Sequence, residues 1–142
     1  MNEKPLDLLG LMRRAGAIEI GTDRACDAIR AGKSRVVLIA ADAAENAVRK
    51  LGNAADGRST ETLRLPFTSD TIAAHLGVGS CGAAAITDIG FAEAFLKQLA
   101  AEDAGGYQEI LGRISAKSAK MKRRRTETKV SVKKKTTAKR RT

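Results

Sequence analysis

The sequence carries one histidine, His75, and two cysteines, Cys26 and Cys81. A cysteine nucleophile needs a base within reach and a third group to orient that base. His75 and Cys81 lie close in sequence, but glycines separate them and no orienting group accompanies them. A half-buried histidine and a small loop cysteine account for the pattern better. One histidine and two separated cysteines also fall short of the ligand number and spacing of a zinc site. Carboxylates are plentiful, yet none forms an acid/base pair identifiable in the sequence. Gly77, Gly79 and Gly82 spell G-x-G-x-x-G, which holds a dinucleotide only between a strand and a helix. Here a helical pattern precedes the glycines and a strand pattern follows them, which rejects dinucleotide binding. The expectation is a non-enzymatic protein with no metal and no cofactor.

What remains is a surface that could bind an anion. The turn at Gly21-Thr22 opens a short amphipathic helix, whose first N–H groups lack partners within the helix. Thr22 is the predicted N-cap and Asp23 sits in the favourable first turn. Arg24, Arg30, Lys33 and Arg35 lie on or beside this helix. Arg13 and Arg14 end the preceding one, where they either complement its dipole or contact phosphate.

The elements that must position these residues follow from periodicity. Leu6–Gly16 reads as a helix with Leu8, Leu9, Leu11 and Met12 on its apolar face and Gly16 just past its end. Ala17–Gly21 alternates as a short strand near an edge. Ala25, Cys26, Ala28 and Ile29 share one face of the next helix, which Gly32-Lys33 stops. Val36–Ala40 is a continuous apolar run, expected as a central strand buried on both faces. Asp42 and Glu45 have capping-box spacing ahead of a helix reaching about Ala55. Thr62–Phe67 alternates as a strand, Ser69-Asp70 caps a short helix, and Gly77–Gly82 leads into the strand Ala83–Thr87. A last helix buries Phe91, Phe95, Leu96 and Leu99. Strands alternating with helices of this length predict an α/β fold, with helices on both faces of a four-stranded sheet.

Charge divides the chain. Residues 1–112 carry 12 Lys and Arg against 15 Asp and Glu, whereas residues 113–142 carry 14 against Glu127 alone. The folded part is thus mildly acidic, and the whole net charge of +10 comes from the tail. The domain is expected over 1–104 and a basic, mostly disordered tail over 105–142, with Tyr107–Met121 as an exposed helix. A block of this sign marks an arm for a polyanion, and no acylation motif or adjacent apolar helix argues for a membrane. Lys122, Arg123, Arg124 and Arg125 begin its densest run. Without a secretory signal the cysteines are expected to be reduced and the protein cytoplasmic. No coiled-coil pattern or interface stripe appears, so a monomer is expected.

Two segments resemble a known family: LLGLMRRAGAIEIGTDRACDAIRAGKSRVVLIAADAAEN and HLGVGSCGAAAITDIGFAEAFL. They are similar to the bacterial YlxQ-like RNA-binding proteins of the ribosomal L-seven-Ae/L-thirty-e superfamily, over about residues 6–99. That resemblance implies a three-layer α/β/α sandwich around a small mixed sheet. It also implies binding of kink-turn RNA, a sharply bent duplex with tandem sheared G·A pairs; the expected partners are a structured RNA of ribosomal type or an assembly intermediate, and the ribosome or ribosome-assembly proteins. In the family the start of the second helix enters the RNA at those pairs, and a loop before the last strand packs on a flipped-out nucleotide. By position, the helix-start glycine is Gly21 and the loop is Val78-Gly79-Ser80-Cys81. Archaeal and eukaryotic members continue Gly-x-Asn-Glu, with a Lys one turn later; here those positions are Asp23, Arg24 and Asp27. Altered kink-turn specificity follows, with the tail adding sequence-independent phosphate contacts. The alternative is a tail-driven binder of RNA or DNA whose domain has lost kink-turn recognition. Similar domains also serve as recognition modules of RNA methyltransferases, a role this chain could fill only in trans.

Overall fold

The computed structural model describes the backbone of residues 3–141 and the side chains through Arg123, Ala104 excepted. A short 3-10 turn (Lys4–Leu6) leads into α1 (Asp7–Ala15), then β1 (Ile18–Ile20), α2 (Thr22–Arg30), β2 (Val36–Ile39) and α3 (Glu45–Ala55). β3 (Glu61–Arg64), α4 (Ser69–Leu76), β4 (Ala83–Ile86), α5 (Ile89–Glu102) and α6 (Ala104–Arg141) complete the chain. The four strands form one mixed sheet in the order β1-β4-β2-β3. β4 runs antiparallel to both neighbours, while β2 and β3 are parallel.

The sheet is buried on both sides because its residues alternate between two cores. Val36, Leu38, Ala84 and Ile86 join Leu9, Met12, Ile72, Phe95, Leu96 and Leu99 on the face covered by α1, α4 and α5. Val37, Ile39, Ala83 and Ala85 meet Ala25, Ala28 and Ile29 of α2 and Leu51 of α3 on the other. This is the expected sandwich of helices on both faces. The α2 face is built largely of alanines, so the helix can lie close against β4.

Local chemistry sets the element ends. Gly16 and Gly77 end α1 and α4 in the left-handed conformation. The Asp88 side chain caps α5 by accepting from the Phe91 N–H at 3.0 Å. Three predicted caps are corrected. Thr68, not Ser69-Asp70, is the N-cap of α4, its hydroxyl accepting from the Thr71 N–H at 3.3 Å. Gly21, not Thr22, is the N-cap of α2, and no side chain caps that helix. Nor does Asp42 cap α3, whose N-cap is Ala44. Its carboxylate accepts instead from the backbone N–H of Ser69 at 2.8 Å and from the Ser69 hydroxyl at 3.2 Å. The long-range bond satisfies an N–H at the start of α4, and it prevails over the local capping box. It also holds the Asp42 carboxyl below its ordinary range, chiefly through the Ser69 backbone N–H.

The region after Ala104 differs from the exposed helix expected there. Tyr107 and Ile114 are buried in the same core as α1 and α5. Ser118 is buried beside Glu93, its hydroxyl 3.5 Å from the carboxylate. Arg113 pairs with Glu61 and Glu109, and Lys117 donates to the Ser59 carbonyl. The hydrophobic core therefore draws on residues beyond 104. The expected disordered tail covers 105–142, with the disorder itself from Lys122 on; Lys122 and Arg123 are described within α6, and the side chains of 124–142 lie outside the described residues.

Gly21 adopts φ 105° and ψ 153°, a region essentially reserved for glycine, and an added Cβ would meet nothing within 4 Å. Gly21→Ala should therefore lower stability by about 1–3 kcal/mol through backbone strain alone. Gly52→Ala, inside α3 and equally unobstructed, should raise it by about 0.5–1 kcal/mol. Urea denaturation of both variants tests the contrast. For Asp42, a depressed folded pKa means that its contribution is complete above the unfolded value and disappears as pH falls through the folded one. Asp42→Ala should therefore be less stable than wild type near neutrality, and the gap should close below the ordinary value of 3.8. A gap independent of pH would contradict the ionic character of the Asp42–Ser69 contact.

Candidate functional site

β1, β2 and β3 all end at one edge of the sandwich, where β4 begins, as the strand registers require. Two hydrogen bonds beyond the strands fix this end. The Gly21 N–H donates to the Ala83 carbonyl at 2.9 Å, and the Ala40 N–H donates to the Gly82 carbonyl at 2.9 Å. The start of α2 therefore lies beside the loop that precedes β4. The sequence placed these segments some sixty residues apart, and the sheet brings them together.

Backbone donors are exposed at the helix start. Ala25 supplies the first satisfied amide of α2, through the Gly21 carbonyl at 2.9 Å. Among the described residues, the N–H groups of Thr22, Asp23 and Arg24 have no acceptor. Asp23 and Arg24 are exposed, and Gly21 and Thr22 are half-buried. Arg24 also borders a groove of about 270 Å³ between α2 and β1, with Glu19, Asp27, Ala28, Ala31 and Lys33. Glu19 carries its own sequence signal, since strand alternation between Ile18 and Ile20 turns it toward the α2 side.

The remaining predicted residues divide. In the loop, Gly79 and Ser80 are exposed and Val78 is half-buried against the core. Cys81 is not at the surface: it is 2% exposed within the main core, and its thiol lies 3.4 Å from the Ala83 carbonyl. Burial pushes that thiol up to about 11, so it is an inert core group. Its side chain is directed away from any ligand on the loop. Arg13 has a structural partner, since its guanidinium donates to the Leu76 carbonyl at 2.7 Å and the Gly77 carbonyl at 3.1 Å. It therefore satisfies the carbonyl end of α4 and anchors the start of the loop. Arg14 is exposed beside it. Asp27 pairs with Arg30 at 3.7 Å, which offsets its negative charge. Lys33 lies past the opposite end of α2 and meets Arg24 only across the groove. Lys122 and Arg123 are exposed on α6, and the side chains of Arg124 and Arg125 lie outside the described residues.

His75 and Cys81 do not form a reactive pair. The His75 ring faces Glu3 at 3.1 Å and Asp7 at 3.3 Å, near the N-terminus of α1. Among the described residues, no group of three or more His, Cys, Asp or Glu is placed to hold a metal ion. No helix among them is long and apolar enough to cross a membrane.

The chain matches no protein-family model and no curated protein. Solved structures share its fold. A protein of unknown function from Bacillus halodurans C is 21% identical, with a TM-score of 0.62 over 68% of this chain and 96% of its own. The Giardia lamblia 15.5kD RNA binding protein is 21% identical, with a TM-score of 0.53 over 82% of this chain and 92% of its own.

Removing the α4 anchor separates Arg13 from its neighbour. Arg13→Ala should cost about 1–2 kcal/mol, the value of a charge-assisted bond to a helix end, and should speed amide exchange across 77–82. Arg14→Ala should do neither. Equal behaviour of the two variants in urea denaturation and hydrogen exchange would remove the anchoring role.

Proposed function

We propose that this protein is a non-enzymatic binder of structured RNA, using the α2 start and the 77–82 loop as one recognition surface. The observation that carries the reading is the Gly21–Ala83 hydrogen bond, which sets three unsatisfied helix N–H groups beside an exposed glycine-containing loop. Unpaired donors at a positive helix end suit phosphate and the acceptor edges of distorted base pairs. A loop with little side-chain bulk allows a close approach by an unstacked base. The fold shared with the Giardia lamblia 15.5kD RNA binding protein supports RNA as the class of ligand.

The finer reading is a YlxQ-like member of the L-seven-Ae superfamily that recognises a kink-turn in ribosomal RNA or an assembly intermediate. Arg24 would contact a guanine edge or phosphate where other members place an acidic residue. Asp27, already paired with Arg30, leaves the local field less negative than the sequence suggests. Thr22, Asp23, Val78, Gly79 and Ser80 would complete the surface. The basic residues from Lys122 onward would add phosphate contacts without sequence preference, and the steep salt dependence they bring would mark their share.

Full-length protein should bind a kink-turn RNA more tightly than the same RNA with its G·A pairs replaced by Watson–Crick pairs. Arg24→Ala should weaken kink-turn binding about tenfold and leave thermal melting unchanged. Equal affinity of the wild type for the two RNAs would refute kink-turn recognition and favour the tail-driven reading. An unchanged Arg24→Ala affinity would make Arg24 a solvated helix charge.

A further inference from the structure

The opposite end of the sheet gathers a different set of cations. β2 begins there, and its first residue Val36 pairs with Glu61 of β3 and Ile86 of β4. The Arg35 carbonyl accepts from the Glu61 N–H at 3.2 Å, and the hydroxyls of Ser34 and Thr60 are 2.9 Å apart. Arg58 reaches back to the Arg30 carbonyl at 3.3 Å, at the end of α2. From α6, Lys117 donates to the Ser59 carbonyl and Arg113 pairs with Glu61. Lys33, Arg35, Arg58 and Lys117 thus converge on the turn before β2 and the loop before β3.

The charges at this end are unevenly answered. Asp27 is taken by Arg30, and Glu61 and Glu109 by Arg113. Asp88 is committed to capping α5. Among the described residues, Lys33, Arg35, Arg58 and Lys117 form no ion pair. The Arg35 Nε is buried without any acceptor. Exposed Asp56, two residues from Arg58, and Glu19, which lines the α2 groove with Lys33, are the local counter-charges. The cluster is also continuous with α6, whose next turns carry Lys120, Lys122 and Arg123. Four cations without an ion pair, set beside the basic helix of an otherwise acidic domain, make a surface suited to polyphosphate.

We propose that Lys33, Arg58 and Lys117, with α6 continuing from them, form a second RNA-backbone surface, so that one molecule touches RNA at both ends of its sheet. The two surfaces are about 13 Å apart along the four-residue strands, a separation that one bent RNA could span. The inference rests on the RNA-binding reading for its ligand class, but it concerns a different face. Contacts here go to phosphate and therefore carry no sequence preference.

The test uses full-length protein and a straight RNA duplex, two helical turns long and without G·A pairs, titrated across a range of salt. Lys33→Ala/Arg58→Ala/Lys117→Ala should lower the slope of log affinity against log salt by about 2 to 3 and weaken binding at least about tenfold. Arg58→Ala alone, at an exposed loop position, should lower the slope by about 1. Thermal melting establishes that each variant is folded, and the single variant serves if the triple is not. Slopes equal to wild type, or a wild type that does not bind the duplex, would overturn the second surface. Failure of kink-turn recognition shows separately, as loss of preference between the two kink-turn RNAs, and leaves these slopes untouched.

Discussion

The hydrogen bond from the Gly21 N–H to the Ala83 carbonyl ties the start of α2 to the loop before β4, the two parts of the proposed recognition surface. It extends the β1–β4 pairing by one step and then releases the chain into α2. For the helix to turn away immediately after that bond, residue 21 must take a φ of 105°. A side chain there would strain the backbone. The alanines at 25, 28, 83 and 85 are the second half of the same constraint. Larger side chains on that face would lift α2 from the sheet and break the alignment with the loop before β4.

Because β1, β2 and β3 point the same way and β4 is reversed, the chain leaves three strands and enters a fourth at one end. Open α/β sheets offer ligand sites outside the carboxyl ends of their strands, and that end is the one carrying the uncapped helix. The Asp42–Ser69 bond and the Arg13 bonds to the α4 carbonyls hold the two ends of α4. The loop at 77–82 therefore hangs between a fixed helix and a central strand. Its glycines serve backbone geometry rather than a dinucleotide. Gly77 shows this directly: its φ is 74°, and an added Cβ would lie 3.1 Å from the Arg13 guanidinium.

Features set by neighbours in sequence could be read from the sequence. The Val36–Ala40 run, the stop at Gly16 and the faces of α2 and α5 all follow from local spacing, and three of the four strands lie where alternation or apolar runs put them; β3 begins one residue before Thr62 and stops at Arg64, three short of Phe67. Long-range competition hid the rest. Asp42 has the right spacing for a local cap, but Ser69, distant in sequence, offers an N–H that local pattern cannot reveal. Arg13 looks like a dipole-complementing or phosphate-binding residue because its acceptors, Leu76 and Gly77, lie in another helix. Cys81 reads as part of a ligand loop until the fold turns its side chain inward. The packing of α6 did leave a signal. Buried positions of α5 include Ala92, Phe95, Leu96, Leu99 and Ala100, a stripe too broad for the sheet alone to cover.

That packing changes how the charge asymmetry acts. A basic segment joined by a free linker would sample a wide volume around the domain, with its effective concentration at any one phosphate falling as the linker lengthened. Tyr107, Ile114 and Ser118 instead fix α6 against α5, and Arg113 and Lys117 bind it to the loop before β3. The positive charge therefore starts from a defined place, at the end of the sheet remote from the helix-start surface. An acidic domain would repel RNA from most directions. With cations fixed at one end and unsatisfied donors at the other, the approach is restricted to orientations in which the backbone lies along the sheet. On the proposed RNA-binding role, specific contacts at the α2 start and phosphate contacts beside α6 would be geometrically coupled, because engaging one would raise the local concentration of RNA at the other.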